Sequence, residues 1–130
     1  MPAPRPFAAA GPVVQIFGLD RDQDTRAAIR FFKERRVAIS FVDLRRRPIA
    51  PAELRRFVGR LGAETLLNRD SKPYRDAGLG YLRLDAADIV ERLMADVRLL
   101  RLPLVRFGSA VSAGRSEVAW AAWLRPDPDS

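Results

Sequence analysis

Between positions 13 and 44 the apolar residues change their spacing twice, and each change marks an element. Val13, Val14, Gln15, Ile16 and Phe17 form a short, β-branched run flanked by turn residues, which predicts a buried strand closed by Gly18. From Asp22 or Asp24 the spacing becomes helical: Ala28, Phe31 and Phe32 share one face, with Arg26, Arg30 and Lys33 turned to water. After Arg35 and Arg36, a second apolar run of Val37, Ile39, Phe41 and Val42 is compatible with a strand parallel to the first. Strand, helix and strand over about thirty residues make a βαβ unit, for which a right-handed crossover is expected.

The pattern then turns helical again. Pro51 suits a first helical residue, and Leu54, Phe57, Val58 and Leu61 recur at i, i+3, i+4 and i+7, predicting an amphipathic helix that ends near Gly62, with a further turn over 64–68. Asp85 and Asp88 have the spacing of a cap with an acidic third position, and Ile89, Val90, Leu93, Met94 and Val97 predict a buried stripe behind them. Beyond Pro103, Leu104 to Phe107, a Gly-Ser turn and Ala110 to Ser112 predict a hairpin, followed by a closing helix that carries Trp120 and Trp123. Those aromatic residues could stack on bases, but their helical and strand spacing favours a packed core, where they contribute large buried areas.

Four of these segments carry a resemblance. IFGLDRDQDTRAAIRFFKERRVAISFVDL, LLNRDSKPYRDAGL (Leu66 to Leu79), LLRLPLVRFG (Leu99 to Gly108) and AGRSEVAWAAWL (Ala113 to Leu124) resemble, in this order and at compatible spacing, the arsenate reductase ArsC and Spx family. The resemblance covers nearly all of the chain after Pro12. It implies an α/β, thioredoxin-like (glutaredoxin-like) fold: a mixed four-stranded sheet with a helical insertion, in one domain over 13–124. The proline- and alanine-rich residues 1–12 are expected to form a disordered tail, and 125–130 to fray. The resemblance also implies a cytoplasmic location.

Family members place a reactive cysteine at the turn before the first long helix. Aligning the family's Gly-x-x-x-Cys segment on Gly18 puts Asp22 at that position, and the sequence contains no cysteine at all. A cysteine at a helix N-terminus is reactive because first-turn amides and the helix dipole favour its thiolate. Aspartate is favoured at the same place as a cap, accepting hydrogen bonds from those amides. It cannot form a disulfide or a mixed disulfide with glutathione, and its charge repels the oxyanion that the amides would otherwise bind. A carboxylate can act as a nucleophile in phosphoryl or glycosyl chemistry. The cap reading is preferred, because no base or metal partner accompanies Asp22 in the sequence.

The resemblance also implies arginines that grip an oxyanion, one of them just before a cis-proline. The proline is Pro103, yet Leu102 precedes it and Arg101 lies one place earlier; the other two arginine positions fall near Asn68 and Gly114, beside Arg69 and Arg115. A one-residue offset redirects a side chain within a strand. Arg69, Arg101, Pro103 and Arg115 are therefore the candidates for an anion or glutathione cleft. From the residues alone, trans is the default for the Leu102–Pro103 bond; the resemblance implies cis.

Composition narrows the remaining classes. With 48% hydrophobic residues among 130, the chain can build one core, and no apolar run is long enough to cross a bilayer. The absence of His and Cys removes the usual metal ligands, and the carboxylates show no recognisable loop spacing. The net charge of +7 and pI of about 11.1 rest almost wholly on arginine, with Arg45, Arg46 and Arg47 in a run. That balance raises non-specific affinity for nucleic acid or acidic surfaces; interspersed acids favour a solvated face, and no nucleic-acid motif is present, so nucleic acid is not an expected partner. Two functions follow. The favoured one is a redox-inactive relative that binds a protein partner, as Spx-like regulators bind RNA polymerase, or a small thiol such as glutathione. The other is an arsenate reductase-like or glutathione-dependent oxidoreductase that borrows an external thiol.

Overall fold

The computed structural model describes residues 12–125, so the tails expected at 1–12 and 125–130 lie almost entirely outside the described residues. Strand β1 (Val13–Gly18) leads through Asp22 into α1 (Gln23–Glu34) and returns as β2 (Ala38–Asp43). The helical insertion follows as α2 (Pro51–Leu61), the short α3 (Ala63–Leu66) and α4 (Lys72–Asp76), a 3₁₀ turn (Leu79–Tyr81), α5 (Ala86–Ala95) and a second 3₁₀ turn (Val97–Leu99). The chain ends in the hairpin β3 (Leu104–Phe107) and β4 (Ala110–Ala113) and helix α6 (Glu117–Leu124). The sheet order is β2-β1-β3-β4, with β1 parallel to β2 and antiparallel to β3, and β3 antiparallel to β4. This is the mixed four-stranded sheet that the sequence pattern and the resemblance predict.

Strand alternation divides the core into two layers. Val14, Ile16 and Val105 face α1 and α6, where Phe31, Phe32 and Trp120 form an aromatic cluster with ring centroids 5.1–5.6 Å apart. Phe17 and Leu104 face the other way, onto Leu54 and Phe57 of α2 and Ile89 and Leu93 of α5. Trp120 is fully buried, and its indole N–H donates to Ser112 Oγ at 2.9 Å, so its one polar atom is satisfied. Trp123 stacks on Phe107 at 6.4 Å. The tryptophans are core residues.

Three details depart from the sequence expectation. The stripe on α5 is narrower than its spacing suggests: Ile89 and Leu93 are buried, Met94 is 39% exposed, and Val97 belongs to the following 3₁₀ turn. The helix stops at Ala95 because Asp96 accepts from the Arg98 amide and starts a new turn. Second, β2 is an edge strand of intermediate burial, which its apolar content does not convey. Third, α4 and the Leu79–Tyr81 turn occupy a stretch with little apolar periodicity; Ser71 caps α4 and Leu79 anchors the turn in the core.

Candidate functional site

Where β1 ends, the chain must turn tightly into α1, and three residues fix that corner. Asp22 is the N-cap of α1: Oδ2 accepts from the Thr25 amide at 2.8 Å and from the Thr25 hydroxyl at 2.7 Å. Among the described residues its other carboxylate oxygen accepts no protein hydrogen bond. Thr25 is completely buried, and it presses on Gly18 so closely that a Cβ there would lie 2.3 Å from the Thr25 hydroxyl oxygen. Gly18 is therefore required by close approach, and its backbone carbonyl accepts from Leu44 at the end of β2.

Pro103 arrives at this corner from the other strand. Phe17 pairs with Leu104 in the antiparallel β1–β3 register, which sets Pro103 beside the end of β1. Its peptide bond with Leu102 is cis, as the resemblance implies, and its carbonyl accepts from the Gly114 amide at 2.9 Å. A cleft of about 290 Å³ opens here, lined by Leu19, Asp22, Asp24, Leu102, Ala113 and Gly114; Pro103 shapes the corner but is not itself among the residues that line the cleft.

Three arginines line the same cleft: Arg98, Arg101 and Arg115. Arg101 and Arg115 reach it despite their one-residue offset, because both sit in loops outside the strands, where side-chain alternation does not apply. Arg69 is not brought there. Its guanidinium pairs with Glu64 at 2.9 Å and meets the Tyr74 hydroxyl, while the preceding Asn68 lines the cleft. Arg98 and Asp24 are cleft residues that the sequence reading did not single out; nothing in the spacing distinguishes Arg98 from its neighbours in an arginine-rich chain.

Each cleft arginine already has partners. Arg101 donates to the carbonyl oxygens of Thr65 and Leu67, at 3.2 and 3.3 Å, and its aliphatic stem packs against Gly114, where a Cβ would lie 3.0 Å from Cγ. Arg115 pairs with Glu117 at 3.1 Å. Arg98 forms two side-chain bonds to Asp96, at 2.9 and 3.0 Å. Hydrogen bonding by Arg98 holds the Asp96 carboxyl below its ordinary range, and the same bond raises the Arg98 guanidinium. The cleft therefore mixes two carboxylates with three guanidinium groups that are partly spent on the fold. No group of three or more potential metal ligands occurs among the described residues, and no helix there is long and apolar enough to cross a membrane.

This corner, with its capped helix, cis-proline and mixed sheet, is what the comparisons with known proteins bear on. A family model described as the ArsC family matches residues 21–123. The chain belongs to the ArsC family. Among solved structures, a YFFB protein is 26% identical, with a TM-score of 0.80 over 86% of this chain and 99% of its own. An arsenate reductase from Vibrio cholerae is 16% identical, with a TM-score of 0.77 over 88% and 99% of the two chains. An ArsC-related protein from Brucella melitensis is 21% identical, with a TM-score of 0.65 over 89% and 100%. These last two show the shared fold. No curated protein matches the sequence.

Proposed function

We propose that this ArsC-family chain is a redox-inactive binding protein, in which Asp22 stands where the family carries its cysteine. Arsenate reduction is the activity associated with the family, and it needs a sulfur that cycles between thiolate and disulfide. The single observation that carries the proposal is the engagement of the Asp22 carboxylate: it caps α1 through the amide and hydroxyl of Thr25 in a sequence without cysteine. The first-turn amide that would hold a thiolate or an oxyanion is already occupied by a fixed negative charge.

The chemistry left to the cleft is recognition. Asp22 and Asp24, with the N–H donors that Arg98, Arg101 and Arg115 keep beyond their bonds to the fold, suit a small zwitterion with carboxylates and an ammonium group, which is the character of glutathione. Glutathione is thus the proposed ligand, bound without exchange. The second reading, an oxidoreductase that borrows an external thiol, draws its support from those three arginines lining one cleft.

An assay of arsenate reduction with glutathione and a glutaredoxin system separates the two. The binding reading expects no turnover above the protein-free rate, together with saturable glutathione binding that Asp22→Ala alters. Turnover that requires the protein would overturn it.

A further inference from the structure

A second concavity lies away from Asp22, between α2 and the β3–β4 hairpin, with a volume of about 500 Å³. Arg55, Arg56 and Arg60 reach it from α2, Arg106 from β3, and the Gly108–Ser109 turn completes its wall. Gly108 has φ of 64° at the first central position of this two-residue turn, a place that favours glycine. Only one of the four cations is neutralised: Arg106 pairs with Glu53 at 2.9 Å, while Arg55, Arg56 and Arg60 make no ion pair among the described residues.

Two features of α2 work against the helix, offset only in part by the place of Arg60 in its last turn, where a cation complements the helix dipole. Arg56 and Arg60 stand at i and i+4, a like-charge pair that repels on a helix surface. Gly59 lies inside the helix, where glycine is disfavoured, and a Cβ there would have nothing within 4 Å. No packing demand explains the glycine. Both features fall on the stretch of α2 that lines the concavity, which is the pattern expected where local stability gives way to a ligand.

We propose that this groove binds an anion carrying two or more linked phosphate groups. Guanidinium forks match phosphate oxygens in bidentate geometry, and all four cations here are arginine. From Arg55 to Arg60 the helix rises roughly 7.5 Å, so three unneutralised charges are concentrated within a length that linked phosphates match. An extended acidic peptide places same-face carboxylates only about every 7 Å, and fewer of them meet the three cations. Among the described residues the groove has no aromatic wall on which bases would stack and no deep apolar pocket for a protein anchor. Gly59 leaves the helix surface low between the arginine stems. The linked phosphates could be free polyphosphate or the tail of a nucleotide.

Calorimetric titration at low salt with inorganic tripolyphosphate tests the site. The wild-type chain should bind one equivalent, at least about tenfold more tightly than orthophosphate, and the double variant Arg56→Gln/Arg60→Gln should lose about tenfold or more, the loss expected for charge-assisted bonds. Gly59→Gln should weaken binding while its melting temperature stays at or above wild type, a pairing that a merely structural role would not give. A nucleoside triphosphate that binds more tightly than tripolyphosphate assigns the source to a nucleotide; equal or weaker binding assigns it to polyphosphate. The proposal is overturned if the double variant binds like wild type, if a tetraglutamate peptide matches tripolyphosphate, or if a single-stranded oligonucleotide outcompetes both.

Discussion

The cleft beside Asp22 and the groove beside α2 are lined by the same kind of cation and use it in opposite ways. In the cleft, Arg101 is tied to the carbonyls of Thr65 and Leu67, Arg98 to Asp96 and Arg115 to Glu117. In the groove, Arg106 is paired with Glu53, but Arg55, Arg56 and Arg60 make no ion pair among the described residues, and α2 tolerates a like-charge pair and an interior glycine beside them. The corner that holds Asp22 is thus built for rigidity, whereas the groove gives up some helix stability for an open, charged surface. What each guanidinium already touches identifies an anion site better than the number of arginines does.

The sharpest way to break this comparison is to disturb the rigid corner. Gly18→Ala forces a methyl against the buried Thr25 side chain and should cost about 1–3 kcal/mol by urea unfolding, the range for overpacking. An unchanged midpoint would mean that the corner is looser than its contacts imply. Asp22→Ala removes the cap and leaves the Thr25 hydroxyl without its acceptor, with an expected loss of about 1–2 kcal/mol in the same measurement. In the groove the sign should reverse: Gly59→Ala should stabilise the chain by about 0.5–1 kcal/mol, since a helix favours alanine and nothing obstructs the methyl.

The smallest effect concerns pH. The hydrogen bonds from Arg98 lower the Asp96 pKa in the folded chain, so the native state binds fewer protons there than the unfolded state. The stabilisation is present above the ordinary carboxylate value near 3.8 and is lost as pH falls through the lower folded value. Because the pair faces solvent, Asp96→Asn should remove no more than about 0.5 kcal/mol of acid-side pH dependence. A larger flattening would show that the cleft's ion pairs contribute more to stability than exposed pairs usually do.

Much of the fold was legible because apolar spacing reports periodicity directly. Val14, Ile16 and Phe17 marked β1, Ala28, Phe31 and Phe32 marked the inner face of α1, and Leu54 and Phe57 marked α2; all are buried in those elements. The edge position of β2 was not legible, because local spacing carries no information about which strand lies outside. The exposure of Met94 was missed because the α5 stripe is cut short by the Asp96 turn. In the site, Asp22 could be read as a cap from its residue type and place, and Arg101 and Arg115 from proximity to the family's positions. Arg98 could not, since its approach depends on the 3₁₀ turn after α5. Nor could the spent state of Arg101, because its partners at Thr65 and Leu67 are more than thirty positions away in the chain.

The account turns on residue 22 standing in a place built to hold a thiolate. The most direct test is the thiol pKa of Asp22→Cys, followed by the ultraviolet absorbance of the thiolate against pH. A thiolate there would accept from the Thr25 amide and hydroxyl at the start of α1, so its pKa should fall clearly below the free-cysteine value of about 8.5. A thiol that titrates at or above that value, in a variant that still folds, would contradict the account.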